Sequence, residues 1–279
     1  MKRNKIFLVV LILLVVPIGT VCGQNTGKTN KHNISFTITK RYLNLPVSQD
    51  VDRGKMSFKT EGKADLNIVI RLSSHPAYWV FYDLSRDKGK VLKISYEGDP
   101  GGLSRIYQDD VIAGQDSLYK ERNRPQIHFT TRRGWINDPN GLLYYEGEYH
   151  LFYQHNPFER EWENMSWGHA VSRDLIHWKE LPVVMYPDRL GAIYSGSAVV
   201  DYNNTSGFGK NGLPAMVAIY TVANSTNQRQ CIAYSLDKGR TFTKYKGISL
   251  VVILRSNKRV CSFWVIGMPL LHKFTENRL

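Results

Sequence analysis

The chain has 279 residues, of which 42% are hydrophobic and 12% aromatic, so it can bury sizeable cores and is not an intrinsically disordered polypeptide. Its cysteines, Cys22, Cys231 and Cys261, are too few and too widely spaced for a disulfide scaffold or a zinc site. Much of the net charge of +13 lies near the two ends of the chain, and no block of five or more Lys and Arg residues occurs, so no nucleic-acid partner is expected.

The beginning of the chain has the pattern of an export signal. A basic stretch precedes an uninterrupted apolar run at 6–16, which is short for a membrane-spanning helix. Val21 and Gly23 fit the small-residue positions of a cleavage site, so residues 1–23 are predicted to be a signal peptide of an exported, periplasmic or extracellular protein. Cys22 leaves lipid anchoring at the cell surface as an alternative, and a retained anchor helix is a third.

Residues 24–118 are predicted to form a small β-sandwich. Apolar and polar residues alternate in stretches at 34–38, 66–72 and 78–84, which is the pattern of half-buried strands. Glycines between the strands, Gly54 among them, are interpreted as breaks. The region contains no catalytic constellation. It could bind sugar, but packing against the following region is the favoured role.

The second region, residues 124–247, is also predicted to be all-β. A hairpin is expected with its turn at Glu146 and Gly147. A faint repeat relates the segment that begins at Ala170 to the segment that begins at Ala233. Repeats of this kind, with four strands in each unit, are typical of β-propellers, and the region has room for roughly two blades.

The most informative motif is Trp-Ile-Asn-Asp-Pro-Asn-Gly, which runs from Trp135 to Gly141. On its own such a sequence is a turn in most proteins, because Asp-Pro and Asn-Gly both favour turns. The functional interpretation is that Asp138 is a carboxylate held rigidly at the end of a strand. Pro139 would fix the backbone after it, and Asn137 could hydrogen-bond a ligand beside it.

Further motifs follow in order: Tyr-Gln-His-Asn-Pro at 153–157, Trp-Gly-His-Ala-Val-Ser-Arg-Asp at 167–174 and Tyr-Ser-Gly-Ser at 194–197. Together with the first motif they resemble glycoside hydrolase family 32, the β-fructosidases, which include levanases, invertases and exo-inulinases. The resemblance covers about residues 124–247. The preceding region is similar to an extra N-terminal module of Bacteroides-type fructanases.

The resemblance implies an all-β chain with the first two blades of a five-bladed propeller. It implies hydrolysis of terminal β-D-fructofuranosyl linkages in fructans or sucrose, with retention of configuration by two carboxyl groups. Asp138 matches the nucleophile. The residues that match sugar-contacting positions are Asn137, Gln154, Trp162 and Ser195, with Trp162 as an aromatic wall of the subsite. No metal, organic cofactor or stable protein partner is implied. Trp167, His169 and Trp178 are expected in the propeller core.

The sequence departs from the family in its last part. The Arg-Asp-Pro motif, which would supply a transition-state carboxylate, and the Glu-Cys motif, which would supply the acid/base, do not occur. From Ile248 the sequence no longer follows the family, and residues 248–279 have the composition of a frameshifted end. The chain as given is therefore expected to be inactive. A non-catalytic carbohydrate-binding fragment and a related five-bladed glycosidase of another sugar specificity are the alternatives.

Overall fold

The computed structural model describes residues 30–246. Within that part the regular structure consists of antiparallel strands and short 3-10 helices, so the all-β prediction is confirmed. No helix in the described part is long and apolar enough to cross a membrane. The predicted signal peptide at 1–23 and the tail at 248–279 lie outside the described residues.

The strands of the N-terminal part are β1 (Lys31–Thr37), β2 (Tyr42–Val47), β3 (Gly54–Thr60), β4 (Leu66–Ile70), β5 (Tyr78–Asp83), β6 (Val91–Glu97) and β7 (Tyr107–Asp109). The strands that follow are β8 (Trp135–Tyr145), β9 (Glu148–Asn156), β10 (Ser166–Ser172), β11 (Trp178–Met185), β12 (Ala192–Asp201), β13 (Ala215–Ala223), β14 (Gln228–Ser235) and β15 (Thr243–Lys244). The 3-10 helices are Ser85–Asp87, Pro100–Arg105 and Gln115–Ser117.

Residues 30–118, called here the N-terminal unit, contain two antiparallel sheets with strand orders β1-β6-β3-β4 and β5-β2-β7. The sheets contribute to one apolar core, because alternate residues of each strand point inward. In β4, for example, Leu66, Ile68 and Ile70 are buried while the residues between them are more exposed. Leu43 and Leu45 of β2 are fully buried in the same core.

Gly54 does not break the strand pattern as the sequence suggested, because it is the first residue of β3. A Cβ atom at this position would lie 2.4 Å from the ring of Tyr96. Tyr96 is fully buried on the neighbouring strand β6, so glycine is required for its packing rather than for a turn. The contact comes from tertiary structure, which local sequence signals do not contain.

Strands β8 to β15 form two four-stranded antiparallel sheets with meander connections, as in the blades of a β-propeller. The first blade has the order β11-β10-β9-β8 and the second has the order β12-β13-β14-β15. β8 and β12 are therefore edge strands of their own sheets, and they contact each other. The two blades meet in a common core that includes Phe152 and Trp167 of the first and Met216 and Tyr220 of the second.

The predicted hairpin and repeat are both present. Glu146 and Gly147 form the turn between β8 and β9, with positive φ angles of 44° and 82°. Ala170 and Ala233 lie on β10 and β14, the third strand of each blade. Each blade therefore places the repeated sequence at the same structural position.

The repeat also has the same hydrogen bonds in both blades. The Ser172 hydroxyl donates to the carboxylate of Asp174 at 3.0 Å, and the Ser235 hydroxyl donates to Asp237 at 2.7 Å. Each Asp accepts further backbone hydrogen bonds in the turn that follows. The repeated Ser-x-Asp sequence thus closes the third strand of each blade with one type of turn.

The aromatic residues expected in the propeller core differ in burial. Trp167 and His169 are fully buried, as expected. Trp178 is only half-buried at the start of β11, where its indole N–H donates to the carbonyl of Leu175 at 3.0 Å. Its side chain closes a surface turn rather than filling the interior.

Candidate active site

The carboxylate of Asp138 lies at a β-bulge in the first blade. On β8 the two residues Asn137 and Asp138 lie opposite the single residue Gln154 of β9. A bulge of this kind redirects the side chains of the longer strand and is common beside active sites. Pro139 follows directly and donates no hydrogen bond to the ladder, which suits an irregular edge strand. Strand register thus brings three of the predicted site residues together.

Ser195 lies at a second irregularity, on β12 of the neighbouring blade. The pairing of β12 with β13 shifts between Tyr194 and Gly196, which leaves Ser195 without a partner in the ladder. Its hydroxyl donates a hydrogen bond to Oδ2 of Asp138 at 2.7 Å. A bulge on each of two facing edge strands therefore joins the predicted nucleophile to a predicted binding residue.

The two strands approach closely because small residues stand at the crossing. A Cβ atom at Gly196 would lie 2.1 Å from the carbonyl oxygen of Ile219. Gly141 has a φ of +49°, and a Cβ there would lie 2.8 Å from the side chain of Ala198. A larger side chain at Gly141 would force β8 and β12 apart and lengthen the hydrogen bond between Ser195 and Asp138, while one at Gly196 would disturb the pairing of β12 with β13.

Asn140, which the sequence analysis did not assign, links the same two strands. It is buried, and its side-chain oxygen accepts a hydrogen bond from the backbone N–H of Gly196 at 3.3 Å. The residue belongs to the Trp-Ile-Asn-Asp-Pro-Asn-Gly motif, so its position was visible in the sequence. Its local interpretation as part of an Asn-Gly turn hid this role, because the motif lies within strand β8.

Two buried amide groups beside the bulge have donors without a partner. Gln154 is 3% exposed and Asn140 is 2% exposed, yet Nε2 of Gln154 and Nδ2 of Asn140 make no hydrogen bond within the described part of the chain. A buried donor left unpaired costs about 1–3 kcal/mol, so native proteins tolerate few of them. Donors in this state are ready to bind the oxygen atoms of a ligand.

Trp162 lies in the loop between β9 and β10 and reaches the site from the side. Its indole is 52% exposed, and its ring centroid lies 6.2 Å from that of Tyr194, with 30° between the planes. Tyr194 immediately precedes Ser195. Trp162 therefore borders the site through Tyr194 rather than through Asp138 itself. Asn137 is exposed on the same bulge.

Asp138 also differs from the other carboxylates of its region in its partners. Between residues 128 and 246, every other Asp and Glu side chain is held by a cation or closes a turn. The carboxylates in ion pairs are Glu146, Glu148, Glu159, Glu161, Glu163, Glu180 and Asp188. Asp174, Asp201 and Asp237 accept hydrogen bonds in turns. Asp138 is the one carboxylate in this described stretch that neither contacts a cation nor closes a turn, so its oxygen atoms remain available to a ligand at the bulge.

The histidines around the site are buried and uncharged. Burial lowers the pKa of His155 to about 4, and its Nδ1 lies 2.8 Å from the carbonyl oxygen of Trp135. Burial also lowers the pKa of His150 to about 4 and that of His169 well below its ordinary value. The described residues contain no group of three or more His, Cys, Asp or Glu side chains arranged to hold a metal ion.

Comparison with known proteins shows that this region is similar to a class of glycosidases. Residues 128–262 match the Glycosyl hydrolases family 32 N-terminal domain, which confirms the resemblance drawn from the motifs for that part of the chain. The match continues to residue 262 and so passes the break predicted at Ile248.

Individual relatives are similar to the same part of the chain. The chain is 58% identical over 135 residues to a levanase of Bacillus subtilis, and the matching region covers 48% of this chain and 20% of the levanase. It is 47% identical over 152 residues to an extracellular exo-inulinase of Aspergillus awamori, covering 48% of this chain and 28% of the inulinase. A fructofuranosidase of Schwanniomyces occidentalis complexed with fructose is 48% identical over 47% of this chain and 26% of its own, with a TM-score of 0.44. The chain thus spans less than a third of the length of these relatives.

Proposed function

We propose that residues 124–247 are the first part of the catalytic domain of a retaining β-fructosidase, with Asp138 as its nucleophile. The substrate is a terminal β-D-fructofuranosyl residue of a fructan or of sucrose. The observation that carries the proposal is the carboxylate of Asp138, which stands at a bulge within the family motif, bonded to Ser195 at 2.7 Å and held by no cation among the described residues. The levanase and inulinase relatives support the choice of sugar.

In this mechanism the carboxylate of Asp138 attacks the anomeric carbon of the fructosyl residue. The bond to the leaving oxygen breaks, that oxygen takes a proton from an acid, and water then hydrolyses the ester on Asp138. Ser195 donates to Oδ2, which orients the carboxylate and leaves Oδ1 free for the attack. Because Asp138 lies at the bulge and is only partly buried, its attacking oxygen can reach a bound sugar.

Binding of the sugar is assigned to the groups around the bulge. The free donor of Gln154 and the exposed amide of Asn137 are placed to bond sugar hydroxyls. Trp162 offers a half-exposed indole against which an apolar sugar face can stack. These side chains come from β9, from β8 and from the loop between β9 and β10, and Trp162 borders the site through Tyr194.

Among residues 128–246 every other carboxylate is held by a cation or closes a turn, and Glu276 is the only acidic residue in the sequence beyond 246, so we assign no second carboxyl group within this polypeptide. We therefore propose that the 279-residue polypeptide by itself releases no fructose, since loss of a general acid alone costs a factor of roughly 10²–10⁴. The same observation favours sugar binding without hydrolysis as a second candidate function for this polypeptide. A glycosidase of another sugar specificity would need a different set of residues around the bulge.

The remaining parts of the proposal concern the whole protein. The blades would belong to a five-bladed propeller, residues 24–118 would be a β-sandwich module packed against it, and residues 1–23 would direct export. The meander order of both blades and the shared core of the two N-terminal sheets support the architecture. The extracellular exo-inulinase among the relatives supports export.

A chimera tests the catalytic proposal. Residues 30–246 are joined to the part of the Bacillus subtilis levanase that follows its matching segment, which supplies a complete domain. The chimera should release fructose from levan or inulin, and Asp138→Asn should lower the rate at least ~10³-fold while the fold is kept. Asp174→Asn, at a surface turn, is the control and should retain activity. Activity of Asp138→Asn within tenfold of the parent would refute the assignment.

A further inference from the structure

The N-terminal unit and the first blade meet at the loop that carries Trp162. This loop, residues 157–165, connects β9 to β10 and is called here the acidic loop. Its Phe158 is fully buried in the core of the N-terminal unit, with its ring 6.3 Å from Phe58 and 6.3 Å from Tyr82. The loop is therefore anchored in one unit while its tryptophan faces the site of the other.

Two arginines of the N-terminal unit hold this loop. Arg53 and Arg71 stand at the open end of the β3–β4 hairpin, directly before β3 and directly after β4. The guanidinium of Arg53 contacts Glu159 at 3.0 Å, Glu161 at 2.9 Å and Glu163 at 3.5 Å. Every second residue of this stretch thus reaches the same guanidinium.

Arg71 strengthens the same contact from the other strand. Its guanidinium lies 2.9 Å from Glu159 and 3.1 Å from Glu161, and its backbone N–H donates to Glu159 at 2.8 Å. Glu159 is fully buried, so its charge depends on these partners. A planar guanidinium can bridge several carboxylates in this way, which an ammonium group does less well.

Asn164 fixes the loop on the far side of Trp162. Its side-chain amide accepts from the backbone N–H of Val69 at 2.9 Å and donates to the carbonyl of Val69 at 2.9 Å. Val69 belongs to β4, an edge strand, so the amide occupies hydrogen-bonding positions that a further strand would use. Trp162 therefore lies between two segments that the N-terminal unit holds.

We propose that Arg53 and Arg71 are positioning residues for Trp162. They hold Glu159, Glu161 and Glu163. Trp162 lies between Glu161 and Glu163 in the sequence, so its indole is kept beside Tyr194 at the border of the sugar site. The role in sugar binding rests on the function proposed above. When a long loop becomes ordered only on ligand binding, the entropy lost in ordering it weakens the affinity for the ligand. A loop that is already held in place avoids that cost. The N-terminal unit then contributes to sugar affinity without touching the sugar.

Fluorine NMR of the 279-residue protein labelled with 5-fluorotryptophan tests this. Trp162→Phe identifies the Trp162 signal, and inulotriose is the sugar titrated. Arg53→Gln should move or broaden the Trp162 signal, leave that of Trp79 unchanged and weaken inulotriose binding about tenfold. Arg53→Lys should give a smaller change. Lys59→Gln, which removes an exposed ion pair with Asp65 at 2.9 Å in the same unit, is the matched control and should match the parent.

The outcomes separate the two proposals. A folded Arg53→Gln protein with an unchanged Trp162 signal would overturn the positioning role, whatever the sugar does. If the parent protein binds no inulotriose, the proposed sugar site fails for this polypeptide, while the Trp162 signal still decides the positioning role. If Arg53→Gln unfolds, Glu161→Gln replaces it, because Glu161 is half-exposed and bridges both arginines. The same shift of the Trp162 signal is then required.

Discussion

The N-terminal unit and the blades are both built from antiparallel sheets, but their interiors differ. The buried side chains of the N-terminal unit are mostly apolar, as in β4 with Leu66, Ile68 and Ile70. Its buried polar side chains, Asn44, Ser48, Ser73 and Asp87, all make hydrogen bonds. The interior of the blades contains three buried histidines, His150, His155 and His169. It also contains the buried amide groups described at the bulge.

This difference indicates which region carries the chemistry. Polar groups that are buried and incompletely bonded lower stability, so they persist where function requires them. In the blades two such groups, the amides of Asn140 on β8 and Gln154 on β9, lie next to the bulge of Asp138. The N-terminal unit has the interior of a region that is selected for packing, and its charged groups act at the boundary with the acidic loop.

The first prediction concerns the apolar core. Leu43→Ala should lower the free energy of unfolding of the N-terminal unit by about 2–5 kcal/mol, because Leu43 is fully buried there. Urea unfolding monitored by the fluorine signal of Trp79 on β5 measures it. Under native conditions inulotriose binding should be unchanged. A loss of less than 1 kcal/mol would show that this core is not closely packed.

The second prediction concerns pH. The folded-state pKa of His155, about 4, is below its ordinary value of 6.5, so the unfolded chain binds more protons between these values. The contribution of neutral His155 to the free energy of unfolding is therefore complete above pH 6.5. It is lost as the pH falls to about 4, which lowers the free energy of unfolding by about 3 kcal/mol. His150 adds to the loss in the same window.

Fluorine signals measure this difference between the two regions. In urea titrations at successive pH values, the Trp167 signal of the first blade should show the loss below pH 6.5. His155→Gln should reduce it. The histidines of the described N-terminal unit, His32 and His75, are not buried, so the Trp79 signal serves as the internal reference. An undiminished loss at the Trp167 signal in His155→Gln would contradict the account.

The third and smallest effect on stability is expected at the site itself. Gln154→Leu replaces a buried amide with an unpaired donor by an apolar side chain of similar size, so unfolding free energy should change by less than ~1 kcal/mol or rise. Inulotriose binding should nevertheless be lost. Thermal unfolding and sugar titration of one preparation measure both. Marked destabilisation together with unchanged binding would assign Gln154 to the core.

Local patterns were sufficient for much of the fold. Alternation in β4 and the positive-φ turn at Glu146 and Gly147 depend on residues near each other in sequence. The repeat that begins at Ala170 and Ala233 is likewise a short local pattern, which occurs twice. The five site residues were proposed because they match positions of a known family. Sequence alone would not have separated Asp138 from a turn residue.

Contacts between distant segments could not be predicted in the same way. The packing of Tyr96 over Gly54 and the hydrogen bond from Gly196 to Asn140 join residues that no local pattern relates. The same holds for Arg53 and the acidic loop, which lie in different regions of the chain. These contacts depend on strand register and on how the two regions pack.

Fructosyl fluoride tests the assignment of Asp138 most directly, with the 279-residue protein itself. Fluoride leaves without a proton from an acid, so attack by Asp138 does not need the second carboxyl group, and the ester should persist because no base activates water. The account predicts one added fructosyl unit on the peptide that contains Asp138, located by mass spectrometry after acid quenching, and none in Asp138→Asn. A fructosyl unit on another carboxylate, or no labelling of the folded parent protein, would contradict it.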